Sequence, residues 1–110
     1  MDEVTIEENN NVPYCLGRLF AVLEKMRGED FPDTLHHNAI QTPAFVFVHW
    51  LKSLHSKISE NEEYSRLVVD ILNNVEKIPK SLVGSEGDFQ LGYQHQRSLL
   101  QKPEKQKQNV

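Results

Sequence analysis

Apolar residues recur at the spacing of an α-helix along almost the whole chain, and this pattern limits the fold more than any other feature. Side chains three and four residues apart share one face of a helix, whereas a half-buried strand alternates at every second residue. No stretch of four or more residues alternates cleanly. The sequence therefore predicts an all-α fold, a single compact bundle of about five helices.

Proline and glycine mark the ends of the first helix. Pro13 suits a first turn, because an N–H group there has no partner within the helix. Gly28 predicts the end of the helix. The predicted core face contains Leu16, Leu19, Phe20, Leu23 and Met26. A short helical segment is expected to follow, over about residues 32–40.

Thr42 and Pro43 predict the N-cap and first residue of a third helix, which is expected to reach about Ser59. Phe45 projects about 140° from the centre of the apolar face of this helix. Either this end of the helix is buried on both sides, or Phe45 contacts another subunit.

Two further helices are predicted toward the C-terminus. The first covers residues 62–78 and ends before Pro79. The second begins near Ser85 and has Gly92 on its inward face. Glycine inside a helix costs about 1 kcal/mol relative to alanine, so a close crossing with another helix is the expected compensation.

The length of 110 residues suits one domain. We expect an acidic flexible lead-in at residues 1–11, a helical bundle at 12–101, and a polar basic tail at 102–110 that is disordered. The longest stretch without a charged residue, 34–51, has 18 residues and includes three histidines, Asn38 and Gln41, so it is short of the ~20 mostly apolar residues of a membrane span. The acidic N-terminus differs from a signal peptide. The sequence predicts a cytoplasmic protein without a transmembrane helix.

Candidate catalytic and metal-binding residues do not form a recognisable pattern. His36 and His37 are adjacent, and His49 and His55 are six residues apart, so neither pair has the spacing of a bidentate metal site. Cys15 is the single cysteine and is expected to lie in the core. We expect no catalytic site, no metal and no cofactor.

The formal net charge of −4 is unevenly distributed. Residues 1–10 carry −4, residues 11–60 are neutral, residues 61–79 carry −2, and residues 80–110 carry +2. Any contact with nucleic acid must therefore be local. The candidate residues for it are Arg18, Lys25, Arg27, Lys52, Lys57 and Arg97. The alternative is that these side chains form only a solvated face.

Four residues are candidates for a subunit interface: Phe45, Trp50, His95 and Gln96. Gln96 falls on the inward face of the last helix, where an amide without partners costs ~1–3 kcal/mol. It is expected to join two helices or to contact a ligand.

Two segments carry a more specific signal. Residues 17–25, GRLFAVLEK, and residues 89–97, FQLGYQHQR, resemble the C-terminal helical domain of the type I-C CRISPR Cascade large subunit. Between them, NAIQTPAFVFVHWLKSLHSKI at 38–58 resembles the segment that leads into a long helix of that family. The resemblance covers about residues 13–101.

The resemblance implies a separate small subunit, made by internal translation within the large-subunit gene. Several copies would lie along the belly of the guide-RNA complex, beside the large subunit and the backbone subunits. There the protein would stabilise the complex and the R-loop formed with target DNA, chiefly the displaced non-target strand, without catalysis. The alternative is a purely architectural subunit that contacts only proteins.

Overall fold

Helix α1, Val12–Arg27, lies at the centre of the fold. The computed structural model describes residues 11–108, with side chains as far as Leu100. The remaining helices are α2 (Asp33–Gln41), α3 (Pro43–Ser53), α4 (His55–Glu60), α5 (Glu62–Leu72) and α6 (Glu86–Gln108). The all-α prediction is confirmed. Apart from Asn11, the predicted acidic lead-in lies outside the described residues.

Both ends of α1 follow from local chemistry. The Asn11 side chain accepts a hydrogen bond from the Tyr14 N–H at 3.1 Å, and Pro13 lies in the first turn. Gly28 adopts a left-handed conformation with φ of 97°, and its N–H donates to the Glu24 carbonyl. Such a residue ends a helix at low cost only when it is glycine.

Buried residues occur on more sides of α1 than the one apolar face that the sequence predicts. The five residues of its predicted core face are all buried, and so are Cys15, Ala21 and Val22 on other sides of the helix. Between Tyr14 and Met26, only Lys25 is exposed and only Arg18 is partly exposed. Helices α3, α5 and α6 all pack on α1, which explains why so few of its residues reach solvent.

Helices α1 and α6 run in the same direction and approach at two glycines. A Cβ atom on Gly92 would lie 2.0 Å from the Tyr14 carbonyl oxygen, and one on Gly17 would lie 2.0 Å from the Phe89 carbonyl oxygen. Real Cβ contacts are never this short, so only glycine permits the crossing. The close crossing predicted at Gly92 is confirmed.

The aromatic ring of Phe20 connects α1 to the rest of the core. Its centroid lies 4.8 Å from Phe31, 5.5 Å from Phe89, 5.8 Å from Tyr93 and 6.1 Å from Phe47. These four rings come from α3, α6 and the loop between α1 and α2. Their tilted and edge-on geometries are those that aromatic pairs prefer.

The prediction of one helix from Thr42 to Ser59 is wrong in one respect, because the helix is interrupted at Leu54. That residue has φ of −101° and ψ of 12°, and its side chain is buried. Leu54 nevertheless lies on the same buried face as Phe47, seven residues earlier. The interruption raises the number of helices in the described part of the chain from the expected five to six.

Two other helix boundaries also differ from the predictions. Helix α5 ends at Leu72 instead of Ile78, and the Asn74 side chain donates to the Asp70 carbonyl, a local bond that competes with helix continuation. Val75 remains buried in the turn that follows. Helix α6 continues to Gln108, beyond residue 101, where the helical bundle was expected to end.

None of the helices in the described part of the chain is both long enough and apolar enough to cross a membrane.

Candidate nucleic-acid and subunit surfaces

Glu24 is a buried carboxylate in the last turn of α1, beside α6, with 5% of its surface exposed. Its Oε2 accepts a hydrogen bond from the Phe31 N–H at 2.7 Å, and its Oε1 accepts one from the Tyr93 hydroxyl at 2.7 Å. Buried charges persist in proteins when they are paired and hydrogen-bonded. Glu24 therefore joins α6 and the α1–α2 loop to the central helix.

Tyr93 and Arg97 complete this cluster. Burial, followed by the hydrogen bond to Glu24, raises the pKa of Tyr93 well above its usual value, so its hydroxyl stays protonated and acts as a donor. Arg97 stacks over the Tyr93 ring at 5.3 Å and lies 3.9 Å from both Glu24 and Asp30. The Arg97 side chain is 35% exposed, so this candidate for nucleic-acid contact is largely engaged within the chain.

Arg18 and the two interface candidates on α6, His95 and Gln96, also have hydrogen-bond partners within the chain. Arg18 Nε donates to Gln96 Oε1 at 2.8 Å, and Gln96 is buried. Tyr14 Oη and His95 Nδ1 are hydrogen-bonded to each other. For Gln96, the observed contact is the one that joins two helices. The subunit roles of His95 and Gln96 stay predictions, and these contacts supply structural reasons for both residues.

Three further basic candidates lie at the C-terminal end of α1, two of them on that helix and Lys57 on α4. Arg27 stacks over the rings of Phe31 at 5.4 Å and Trp50 at 5.6 Å, and it pairs with the exposed Glu29 at 3.6 Å. Lys57 Nζ donates to the Met26 carbonyl at 3.4 Å. Lys25 is exposed. Trp50, an interface candidate, is partly buried against Phe31 at 5.0 Å.

The remaining candidates, Phe45 and Lys52, lie on the outer surface of α3. The side chain of Phe45 is 77% exposed, and Lys52 is exposed as well. The ten candidates therefore do not form one site. They divide between the α1–α6 interface, the C-terminal end of α1 with Trp50 beside it, and the outer surface of α3.

The partly buried His36 ring packs edge-on to two aromatic rings, at 4.7 Å from Phe20 and 4.9 Å from Tyr93. Burial lowers the pKa of His36 from its usual 6.5. The charged groups that act on it are Glu24, Asp33, Arg97 and Asp30. Of these, the carboxylates oppose the effect of burial and Arg97 adds to it. The folded protein therefore prefers the neutral imidazole.

We expect the stability to fall as the pH drops below 6.5, since the unfolded chain then binds a proton that the folded chain binds less well. His36→Phe keeps the ring contacts and should reduce this loss. Chemical denaturation above and below pH 6.5 measures the effect, and His37→Phe, at an exposed position of α2, controls for the added ring. An identical pH dependence in His36→Phe and the wild type would contradict it.

Cys15 is buried in the core, as expected. Burial raises the pKa of its thiol and Arg18 partly opposes this effect, so the reactive thiolate is disfavoured. Among the described residues, no three His, Cys, Asp or Glu side chains are grouped as metal ligands would be.

Comparison with known protein families identifies the family of this chain. The family model described as CRISPR-associated protein (Cas_Csd1) matches residues 3–100, which is most of the chain. The protein belongs to the Cas_Csd1 family. The resemblance stated from the two sequence segments is thereby confirmed at the level of the family. No curated protein matches the chain, and no solved structure matches it.

In this Cas_Csd1 protein, the two segments that carried the resemblance lie on α1 and α6 and pack against each other. Residues 17–25 contain Gly17 and Glu24, and residues 89–97 contain Gly92, Tyr93 and Arg97. The two glycines set the distance between the helices, and the polar groups connect them. The residues that carry the resemblance therefore lie mainly in the packed core of the domain.

Glu24 and Gly17 were not singled out from the sequence, although a signal for Glu24 exists. At 100° per residue, Glu24 lies 40° from Phe20 and thus within the buried face of α1. A carboxylate in that position needs buried partners. Its partners are 7 and 69 residues away in the chain, which is why periodicity does not identify them.

Proposed function

We propose that this protein is a non-catalytic small subunit of a type I-C CRISPR guide-RNA complex in the cytoplasm. Several copies would lie beside the large subunit and the backbone subunits and stabilise the R-loop, chiefly its displaced strand. The observation that supports this proposal is the family match over residues 3–100. The packing of the two resemblance segments into one helix pair agrees with it.

That role does not require the subunit to recognise a base sequence. Pairing with the guide reads the target sequence, so an accessory subunit needs only to hold backbone geometry and an unpaired strand. Lysine and arginine contacts to phosphate do this without sequence preference. Lys25 and Lys52 are exposed, whereas Arg18 and Arg97 are only partly exposed. The strand contact is therefore assigned mainly to the exposed lysines.

Charge reversal tests this assignment in the assembled complex. We expect the double variant Lys25→Glu and Lys52→Glu to weaken target-DNA binding and to lower the slope of log affinity against log salt by at least about 1.4, as the loss of two phosphate contacts requires. Lys77→Glu, an exposed lysine in the acidic part of the chain, is the matched control. Arg18 is left intact because its replacement would also remove the bond to Gln96.

Unchanged binding of the double variant across the salt series would contradict a role for these lysines. A purely architectural subunit is the second candidate function, and the exposed apolar residues Phe45 and Val48 favour it. That function predicts normal strand opening in lysine variants and defective assembly in Phe45→Ala.

A further inference from the structure

The segment between Asp33 and Glu60 contains no acidic residue. It includes all of α3 and nearly all of α4, and its basic residues are Lys52 and Lys57. The helix that follows, α5, carries Glu62, Glu63 and Asp70. The neutral total over residues 11–60 therefore conceals a locally positive region.

Four side chains of α3 share one outward face. Positions 45, 48, 49 and 52 fall within an arc of about 100° at 100° per residue. They are Phe45, Val48, His49 and Lys52, and all four are exposed, with Phe45 at 77% and Val48 at 44%. We call this group the α3 surface. Phe45 and Lys52 are about 10 Å apart along the helix axis.

We propose that the α3 surface binds unpaired nucleic acid, with the Phe45 ring stacking on a base and the Lys52 ammonium contacting a phosphate. This inference rests on the proposed function and assigns its strand contact to a site. Exposed aromatic rings beside basic groups are the means by which proteins hold single strands without reading their sequence. The paired bases of a duplex are already stacked, so Phe45 favours the unpaired strand.

The same inference revises the expectation for Phe45. A subunit contact through Phe45 and a strand contact through Lys52 were predicted separately, but the two residues share one face and therefore one partner. Among the described side chains, none forms an ion pair with Lys52. A polyanion compensates this charge, whereas the α3 surface of a second copy would add another positive charge to it. The charge thus favours a strand over self-association through this face.

Binding of fluorescein-labelled oligothymidylate to the full chain is the first test. Phe45→Ala should weaken the affinity by about fivefold to a hundredfold, as the loss of one stacked base requires, and should leave the salt slope unchanged. Lys52→Ala should lower the salt slope by about 0.7. Phe45→Trp should retain the affinity. Val69→Ala, at an exposed position on the acidic helix α5, is the control for removal of an apolar side chain.

The second test uses the complete guide-RNA complex and measures assembly and strand opening separately. The proposal requires Phe45→Ala to assemble normally and to leave the displaced strand more open to cleavage by single-strand nucleases. Failure of Phe45→Ala to assemble would make the α3 surface a protein contact and overturn the proposal. So would unchanged oligonucleotide affinity in both Phe45→Ala and Lys52→Ala.

The two tests separate this inference from the proposed function. If omission of the whole chain leaves strand opening unchanged, the proposed function fails whatever the oligonucleotide result. If omission impairs opening while both variants behave as the wild type, the proposed function stands and the α3 surface does not carry it. Because both side chains are exposed, neither substitution should change the thermal midpoint, which shows that each variant is folded.

Discussion

Gly92→Ala is expected to destabilise the domain by about 3 kcal/mol or more and to lower the thermal midpoint by more than about 10 °C. The added methyl group would lie 2.0 Å from the Tyr14 carbonyl oxygen, which is backbone and cannot move without shifting α1. Gly17→Ala should have a similar effect, since its methyl group would meet the Phe89 carbonyl oxygen at 2.0 Å. Thermal denaturation followed by circular dichroism measures both.

Gly87 provides the matched control for these variants. It lies in the first turn of the same helix α6, and a Cβ atom there meets no other atom within 4 Å. Gly87→Ala should therefore be neutral or stabilise by up to about 1 kcal/mol through helix propensity. Equal midpoints for Gly87→Ala and Gly92→Ala would show that the helices can separate freely, contrary to the packing described.

The second large effect is expected at Glu24. Glu24→Ala removes the acceptor for the Phe31 N–H and for the Tyr93 hydroxyl, and it removes the buried carboxylate that lies nearest to Arg97. Leaving buried donors without partners costs about 1–3 kcal/mol each, so we expect a total loss of about 3 kcal/mol in unfolding free energy. Urea denaturation of the purified chain measures this loss.

A double-mutant cycle tests whether Glu24 acts through Tyr93. Tyr93→Phe removes the hydroxyl donor and keeps the ring, so its cost should be partly lost in the Glu24→Ala background. Glu29→Gln, which removes an exposed carboxylate paired with Arg27 at 3.6 Å, should change stability by less than about 0.5 kcal/mol. Strictly additive costs for Glu24→Ala and Tyr93→Phe would refute the coupling.

The parts of the fold that were predictable depend on local chemistry. Pro13 and Gly28 mark the ends of α1, and Thr42 with Pro43 marks the start of α3, because proline and glycine constrain the backbone wherever they occur. Gly92 was identified because glycine on an inward helical face is costly without a close neighbour. Each of these signals is contained in a few adjacent residues.

The unpredicted features depend on contacts between distant residues. The break at Leu54 has no glycine or proline beside it that would have indicated it. The partners of Arg18 and of Glu24 on α6 are 78 and 69 residues away. The sequence identified Arg18 and Arg97 as basic residues of helices, but only the folded arrangement shows that both are held in the α1–α6 interface.

The candidate surfaces also combine features that the sequence predicts with features that only the structure shows. From the angle of Phe45 on the helix, two alternatives were expected, burial on both sides or contact with another subunit; the 77% exposure of its side chain excludes the first within this chain. That Phe45, His49 and Lys52 share one face follows from their spacing. Which face of α3 is open to solvent is known only from the structure, in which Val46 and Phe47 on the other side of the same helix are buried. Angle and burial together define the surface.

The most direct test of the proposed function compares the guide-RNA complex purified with and without this chain, bound to a matched DNA target. Chemical probing of unpaired bases reports how far the displaced strand is open and how long it stays open. We expect the open R-loop to be lost or short-lived without the chain and to be restored when the chain is added back. An equally open and lasting R-loop without the chain would contradict a role in stabilising the displaced strand.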